Sequence, residues 1–197
     1  MLYITVVAIA TVLISLASFA VGGIHDAWAL ALSLFGTLFA VAAVFAVDGV
    51  LAFVARQLPE RWFSPDSPLF SVSERERRLY RALGIKGWKK YIPEWGCFTG
   101  FHKDRVRSTS DSAYLGRFLL ESNYGVLGHL AGGLLGFLII LIPNIRPLSV
   151  GLPVAAVNLV LNLRPTALLR YNTPSLRHLY HRALDRESGG DPAGEKQ

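Results

Sequence analysis

Charge is what this chain has least of. Asp, Glu, Lys and Arg make up only 17% of its 197 residues, against about 25% in an ordinary soluble domain. The deficit comes in blocks: residues 2–24, 27–47, 122–145 and 147–163 contain none of the four. Runs of this kind exclude a water-soluble globule and an intrinsically disordered chain. Cysteine is nearly missing too. The lone Cys97 excludes a disulfide scaffold and a cysteine-based zinc site. The chain is also too short for a two-domain enzyme plus a membrane region. Any active site must therefore use the membrane helices or the one segment between them.

What is present is apolar sequence at membrane-spanning length. About 20 apolar residues cross roughly 30 Å of hydrocarbon. Four spans are expected at about 2–22, 27–55, 123–143 and 148–169. This predicts an all-α integral membrane protein of two helical hairpins joined by a basic, partly helical interfacial segment. The predicted divisions are a hairpin at 1–57, an interfacial segment at 58–122, a second hairpin at 123–170, and a tail at 171–197 that is disordered from about 188. Thirteen of the twenty Lys and Arg lie between Arg56 and Arg117, six lie from Arg164 onward, and only Arg146 sits in the opposite connector. The positive-inside rule then predicts a multi-pass cell-membrane protein with both termini in the cytoplasm. The rival reading of 1–20 as a cleaved signal peptide lacks a positive n-region.

Ser73-Glu74-Arg75-Glu76 fits a capping box and predicts a short helix in the central segment. Basic residues interleaved with Leu79, Leu83, Trp88 and Trp95 describe either a helix lying in the headgroup region or a solvated basic loop. The flanking spans argue against a nucleic-acid partner.

Polar residues inside hydrocarbon are costly and mark candidate sites. Asp48, His129 and Asn162 each lie seven or eight residues from a cytoplasmic helix end, about 10–12 Å deep at the helical rise. Asn158 lies one turn from Asn162 on the same face and reads as interhelical glue. A neutral His129 oriented by Asp48 or Glu121 could take a proton from an alcohol as a general base. Glu121 precedes His129 by about 12 Å along a straight helix, so the two could flank a substrate but not bond directly. Gly128, Gly132 and Gly136 form a small-residue stripe suited to close packing, either within the chain or in a homo- or hetero-oligomer. Gly125 is expected to leave open space beside His129. Pro174 is expected to end the last helix, leaving Arg170, Tyr171 and Asn172 at the interface, either as a topogenic cap or as an anion clamp. The five His residues and the acids make no metal-ligand pattern, so no metal site is expected.

Four segments, in order, resemble the glycosyl-4,4'-diaponeurosporenoate acyltransferase family, from about Pro59 to Arg177. They are Pro59-Glu60-Arg61-Trp62-Phe63, then Ile85-Lys86-Gly87-Trp88-Lys89-Lys90, then Glu121-Ser122 followed by His129, and finally Asn162, Pro165 and Arg170-Tyr171-Asn172. Members of that family are small membrane proteins that esterify a sugar hydroxyl of a glycosylated carotenoid with a fatty acyl group in staphyloxanthin-type pigments. The family pattern carries a second acid where this chain has Gly125-Val126-Leu127, and other residues at Leu169 and Thr173. These departures bear on the acceptor more than on acyl transfer.

The resemblance implies a membrane O-acyltransferase working on a glycosylated lipid at the cytoplasmic leaflet, with acyl-CoA as co-substrate and no bound cofactor. It implies His129 as base and Glu121 or Asp48 as its orienting acid. Arg170, Asn172, Asn162, Tyr171, Trp88 and Lys89 would be substrate contacts, and Lys90 and Lys103 would attract the CoA phosphates. The contrasting expectation is a non-enzymatic subunit that packs on a partner membrane protein through the glycine stripe.

Overall fold

The computed structural model describes residues 2–23, 26–88 and 110–189. Lys89, Lys90, Trp95, Lys103 and the tail from 190 lie outside the described residues. The chain is all-α, with no strand among the described residues. Among the described residues, four helices are long and apolar enough to cross a bilayer. Its contacts divide it into two units: 1–57 with 127–166, and 58–126 with 167–197.

The first unit begins with α1 (Leu2–Val21) and α2 (Ala27–Ala55), a hairpin of near-continuous apolar sequence. Asp26 caps α2 by accepting the Ala29 N–H at 2.7 Å. The second half of α5 (Ser112–Leu135) follows, tightens into a 3₁₀ turn at Gly136–Leu141, and reverses at Asn144, whose φ is 70°. A wide turn at Pro147–Gly151 then leads into α6 (Leu152–Gly189). The inner face is built from small and branched residues: Ala40, Val44, Ile139, Ile145, Val150, Val154 and Ala155. Large side chains such as Leu13, Phe35 and Phe39 point outward, as expected where the surroundings are hydrocarbon rather than water. Three inward hydroxyls are satisfied by their own helices. Thr11 donates to the Val7 carbonyl at 2.8 Å, Ser15 to Thr11 at 2.7 Å, and Thr37 to Ser33 at 2.8 Å.

The second unit holds a loop with single turns at Glu60–Trp62 and Pro68–Phe70, then α3 (Glu74–Ala82), α4 (Ile85–Trp88), the first half of α5 and the last part of α6. Ser73 caps α3 as its sequence predicts, accepting the Glu76 N–H at 3.2 Å. The Glu76 side chain does not complete the reciprocal box; it bonds to Arg170 and Tyr80 instead. Gly84, at φ 65°, lets the chain turn from α3 into α4. The aromatic core stacks Phe63 on Tyr124 with ring centroids 4.1 Å apart and sets Phe70 against Phe63 at 5.4 Å. Phe118, Leu119 and Leu176 form a neighbouring cluster.

Two helix boundaries differ from the hydropathy reading. The third helix starts at Ser112, before the apolar run, because Asp111 accepts the Tyr114 N–H at 2.9 Å and the Glu187 carboxylate takes the Ser112 N–H and hydroxyl. The fourth helix does not stop at Pro174 but continues to Gly189. Proline removes one backbone donor and costs about 3 kcal/mol in a helix interior. Four turns of tertiary contacts outweigh that. Leu169 and Leu176 are buried, Arg170 and Arg177 bond to the 67–76 segment, His181 bonds to Asp66, and Glu187 bonds to Ser112. Arg170, Tyr171 and Asn172 are therefore mid-helix residues, not a helix end.

Candidate functional site

The first unit brings three of the deep polar residues into one network. Asp48 comes from α2, His129 from α5, and Asn162 with Asn158 from α6. Asn162 Nδ2 donates to Asp48 Oδ2 at 3.0 Å, and Asn162 Oδ1 lies 2.9 Å from His129 Nδ1. Asn158 Nδ2 donates to Asp48 Oδ1 at 3.4 Å and to the Gly132 carbonyl at 3.3 Å. The two asparagines sit at i and i+4, so they share a face of α6, and Asn162 Nδ2 also donates to Asn158 Oδ1 at 3.1 Å. Thr166 closes the row by donating to the Asn162 carbonyl at 2.9 Å. Asn158 and Asn162 are buried, while Asp48 and His129 are half-buried.

For an ionised Asp48 and a neutral imidazole, this wiring orders the donors and acceptors. A carboxylate only accepts, so Asn162 must turn its NH₂ toward Asp48. Its carbonyl oxygen then faces the imidazole and requires the proton on His129 Nδ1. In that neutral tautomer Nε2 is the nitrogen that carries the lone pair. Asn162, which the sequence suggested as a substrate contact, thus lies between acid and histidine. Asp48 acts on the ring through an amide rather than by touching it.

The glycine stripe is occupied from within the chain. A Cβ on Gly128 would lie 3.6 Å from Ala52 Cα. One on Gly132 would fall on the Asp48 carboxylate, and one on Gly136 would lie 2.6 Å from Asn158 Nδ2. These glycines let the polar network enter between helices of this chain. Gly125 does not border open space as expected: a Cβ there would lie 3.0 Å from Leu169 Cδ1, because α6 continues and buries Leu169 against it.

The second unit holds the other expected residues. Arg170 grips Glu76 with two parallel bonds, Nε to Oε1 at 2.5 Å and Nη2 to Oε2 at 2.9 Å, and also reaches the Ser71 carbonyl at 3.0 Å. The guanidinium set aside for an anionic substrate is thus committed to a carboxylate. Tyr80 donates to Glu76 Oε1 at 2.6 Å. The Arg170 donors hold the Glu76 carboxyl below the usual carboxylate range. Burial, reinforced by its bond to Glu76, pushes the Tyr80 hydroxyl up to about 12. Glu121 accepts from Arg117 at 2.8 Å, and Arg117 also reaches Glu60 at 3.4 Å. Tyr171 and Asn172 are half-buried. Trp88 donates its indole N–H to the Leu83 carbonyl at 2.9 Å. Among the described residues no three His, Cys, Asp or Glu side chains cluster as a metal site would need.

Sequence reading passed over several anchors. Asn123 Nδ2 donates to the Phe63 and Ser64 carbonyls at 2.9 and 3.4 Å, and the Tyr124 hydroxyl donates to Leu58 O at 3.1 Å. Together they tie the Pro59–Phe63 segment to α5. A buried Asn in an otherwise apolar run was the available signal. Glu76, read only as a helix cap, is the partner of Arg170.

Fold and network define a helical membrane protein with an Asp–Asn–His chain whose central Asn is buried. Over residues 59–182 the sequence matches the family described as glycosyl-4,4'-diaponeurosporenoate acyltransferase, and the protein belongs to that family. The match spans the four segments that carry the resemblance in sequence. No curated protein and no solved structure matches the chain.

Proposed function

We propose that the protein transfers a fatty acyl group from acyl-CoA to a sugar hydroxyl of a glycosylated lipid at the cytoplasmic leaflet of the cell membrane. The acceptor class follows the family, whose description names a glycosyl diaponeurosporenoate. The observation that carries the reading is the Asp48–Asn162–His129 chain. His129 Nε2 takes the proton as the hydroxyl oxygen attacks the thioester carbonyl. The C–S bond breaks, and the proton passes from the imidazolium to the departing thiolate, giving ester and free CoA thiol. Asp48, through Asn162, favours the imidazolium formed on the way. General-base assistance of this kind is worth roughly 10²–10⁴ in rate. Glu121 and Arg170 hold local structure through Arg117 and Glu76, and Tyr171 and Asn172 remain the candidate headgroup contacts on α6. The basic charge of the central segment attracts the CoA phosphates and, by the positive-inside rule, keeps both termini cytoplasmic.

The test is lipid mass spectrometry of membranes containing wild-type protein, His129→Ala, Asn162→Ala, or none. A lipid heavier by one acyl group should appear only with wild type, with both variants present at normal abundance. Identical profiles from well-folded proteins would overturn the enzyme reading.

A further inference from the structure

A second feature of the first unit lies at the end that carries the 22–26 and 142–147 connectors, about 20 Å along α2 from Asp48 at the helical rise. It is an open-sided cavity of about 530 Å³ between α1, α2 and the 142–150 turn. Its walls are apolar, with Leu32, Phe35, Phe39 and Ile142 among them. Leu32, Phe35 and Phe39 also have outward-exposed surface.

Polar residues Ser18, Ser33, Asn144 and Arg146 break this apolar lining, and two features among them stand out. Arg146 is exposed at the rim and is the only Lys or Arg between Arg117 and Arg164. Its Nη1 donates to the Ser18 carbonyl at 3.1 Å, near the end of α1. The missing side chain of Gly22 makes room for this, since a Cβ there would lie 3.0 Å from Nη1. The bond fixes the guanidinium at one nitrogen. Its Nε and Nη2 edge has no hydrogen-bond or carboxylate partner among the described residues. That edge is the one that grips a phosphate with two parallel bonds. The second feature is Ser33. It lines the same cavity and is 5% exposed, and its hydroxyl is buried with no hydrogen-bond partner among the described residues. Its neighbour Thr37 satisfies its own hydroxyl on the helix backbone. An unsatisfied donor inside an apolar bundle is costly.

We propose that this cavity binds a phospholipid with an anionic phosphate headgroup. Arg146 takes the phosphate, the Leu32–Phe39 face of α2 takes the first part of an acyl chain, and Ser33 meets the ester region. Charge selects the anionic class, because the rim carries a guanidinium whose bonds among the described residues are all to neutral oxygens of Ser18. The inference is independent of the acyl-transfer reading and uses none of its residues.

The full chain is placed in nanodiscs of phosphatidylcholine containing, at equal low mole fraction, either phosphatidylglycerol or phosphatidylcholine with a photoactivatable acyl chain. Cross-linked peptides are then mapped. Cross-links at 32–39 and 142–150 should favour phosphatidylglycerol roughly fivefold, the ratio one cation near an anionic headgroup supplies. Arg146→Gln should bring the two lipids level. Gly36→Leu fills the cavity from a position with nothing within 4 Å of its Cβ, and leaves Arg146 bonded to α1. It should abolish cross-linking of both lipids at these peptides. Equal labelling in wild type, or a preference that survives both variants, overturns the site. If Arg146→Gln does not fold, Gly36→Leu alone decides.

Discussion

Replacing Gly132 with alanine should disable the protein without replacing any polar side chain, whereas the same change at Gly128 should be harmless. Both glycines lie on the same stripe of α5, and both substitutions gain about 0.5–1 kcal/mol of helix propensity. They differ in what the new methyl meets. At Gly128 it meets Ala52 Cα at 3.6 Å and Cβ at 3.8 Å, ordinary contact distances. At Gly132 it lands on the Asp48 carboxylate, with Cγ 3.0 Å and Cα 3.6 Å away. Asp48 has to rotate, and Asn162 and Asn158 lose their acceptor. Overpacking costs about 1–3 kcal/mol, and each lost bond to a charged group about 1.5–3. With one such bond lost, the gap between the two variants should be roughly 2.5–6 kcal/mol. Reversible unfolding in mixed detergent micelles measures this gap, and product formation in the lipid assay should fall with it. Two variants within about 0.5 kcal/mol of each other would refute the reasoning, because a stripe that serves only general close packing treats both positions alike.

Further outcomes follow from the second unit. Glu76→Gln should flatten the acid limb of stability. The native Glu76 carboxyl lies below its ordinary value, chiefly through Arg170, so its contribution is complete above about pH 5 and is lost as pH falls through the lowered native value. Hydrogen exchange in α3 should therefore rise on acidification in wild type and vary little in the variant. Asn123→Ala leaves the Phe63 and Ser64 carbonyls without their side-chain donor, costing about 1–3 kcal/mol in unfolding experiments and loosening the 58–70 loop toward protease. Pro174→Ala should leave helix content by circular dichroism unchanged. A helix that lengthened on this change would contradict the continuity of α6.

Spans, polar depth and family were legible because each rests on a local property: run length, position along a helix, residue order. The pairing of Asp48 with His129 through Asn162 was not, because helix rotation about its own axis leaves no trace in hydropathy. Gly132 held the missing clue, but a small-residue stripe reads the same whether a carboxylate or another helix fills it. Pro174 misled for a related reason. Its local preference is to break a helix, and the contacts that override it come from residues about 60 to 110 positions away. Arg170 drew attention as a charge at a membrane edge. Its partner Glu76 sat inside a motif that already explained it.

The hydroxyls and the carboxyl of the N-terminal hairpin have consequences for biogenesis. Thr11, Ser15 and Thr37 bond back to their own helices, so this hairpin can leave the translocon with those groups already satisfied. Asp48 cannot, because both amides that serve it belong to α6, more than a hundred residues later in synthesis. Between those two moments the nascent protein carries a carboxyl in the bilayer with neither amide to receive it. A truncated chain, or one whose last helix fails to insert, keeps that defect, a carboxyl that is costly inside hydrocarbon. Asp48 thereby marks whether the polypeptide has been completed.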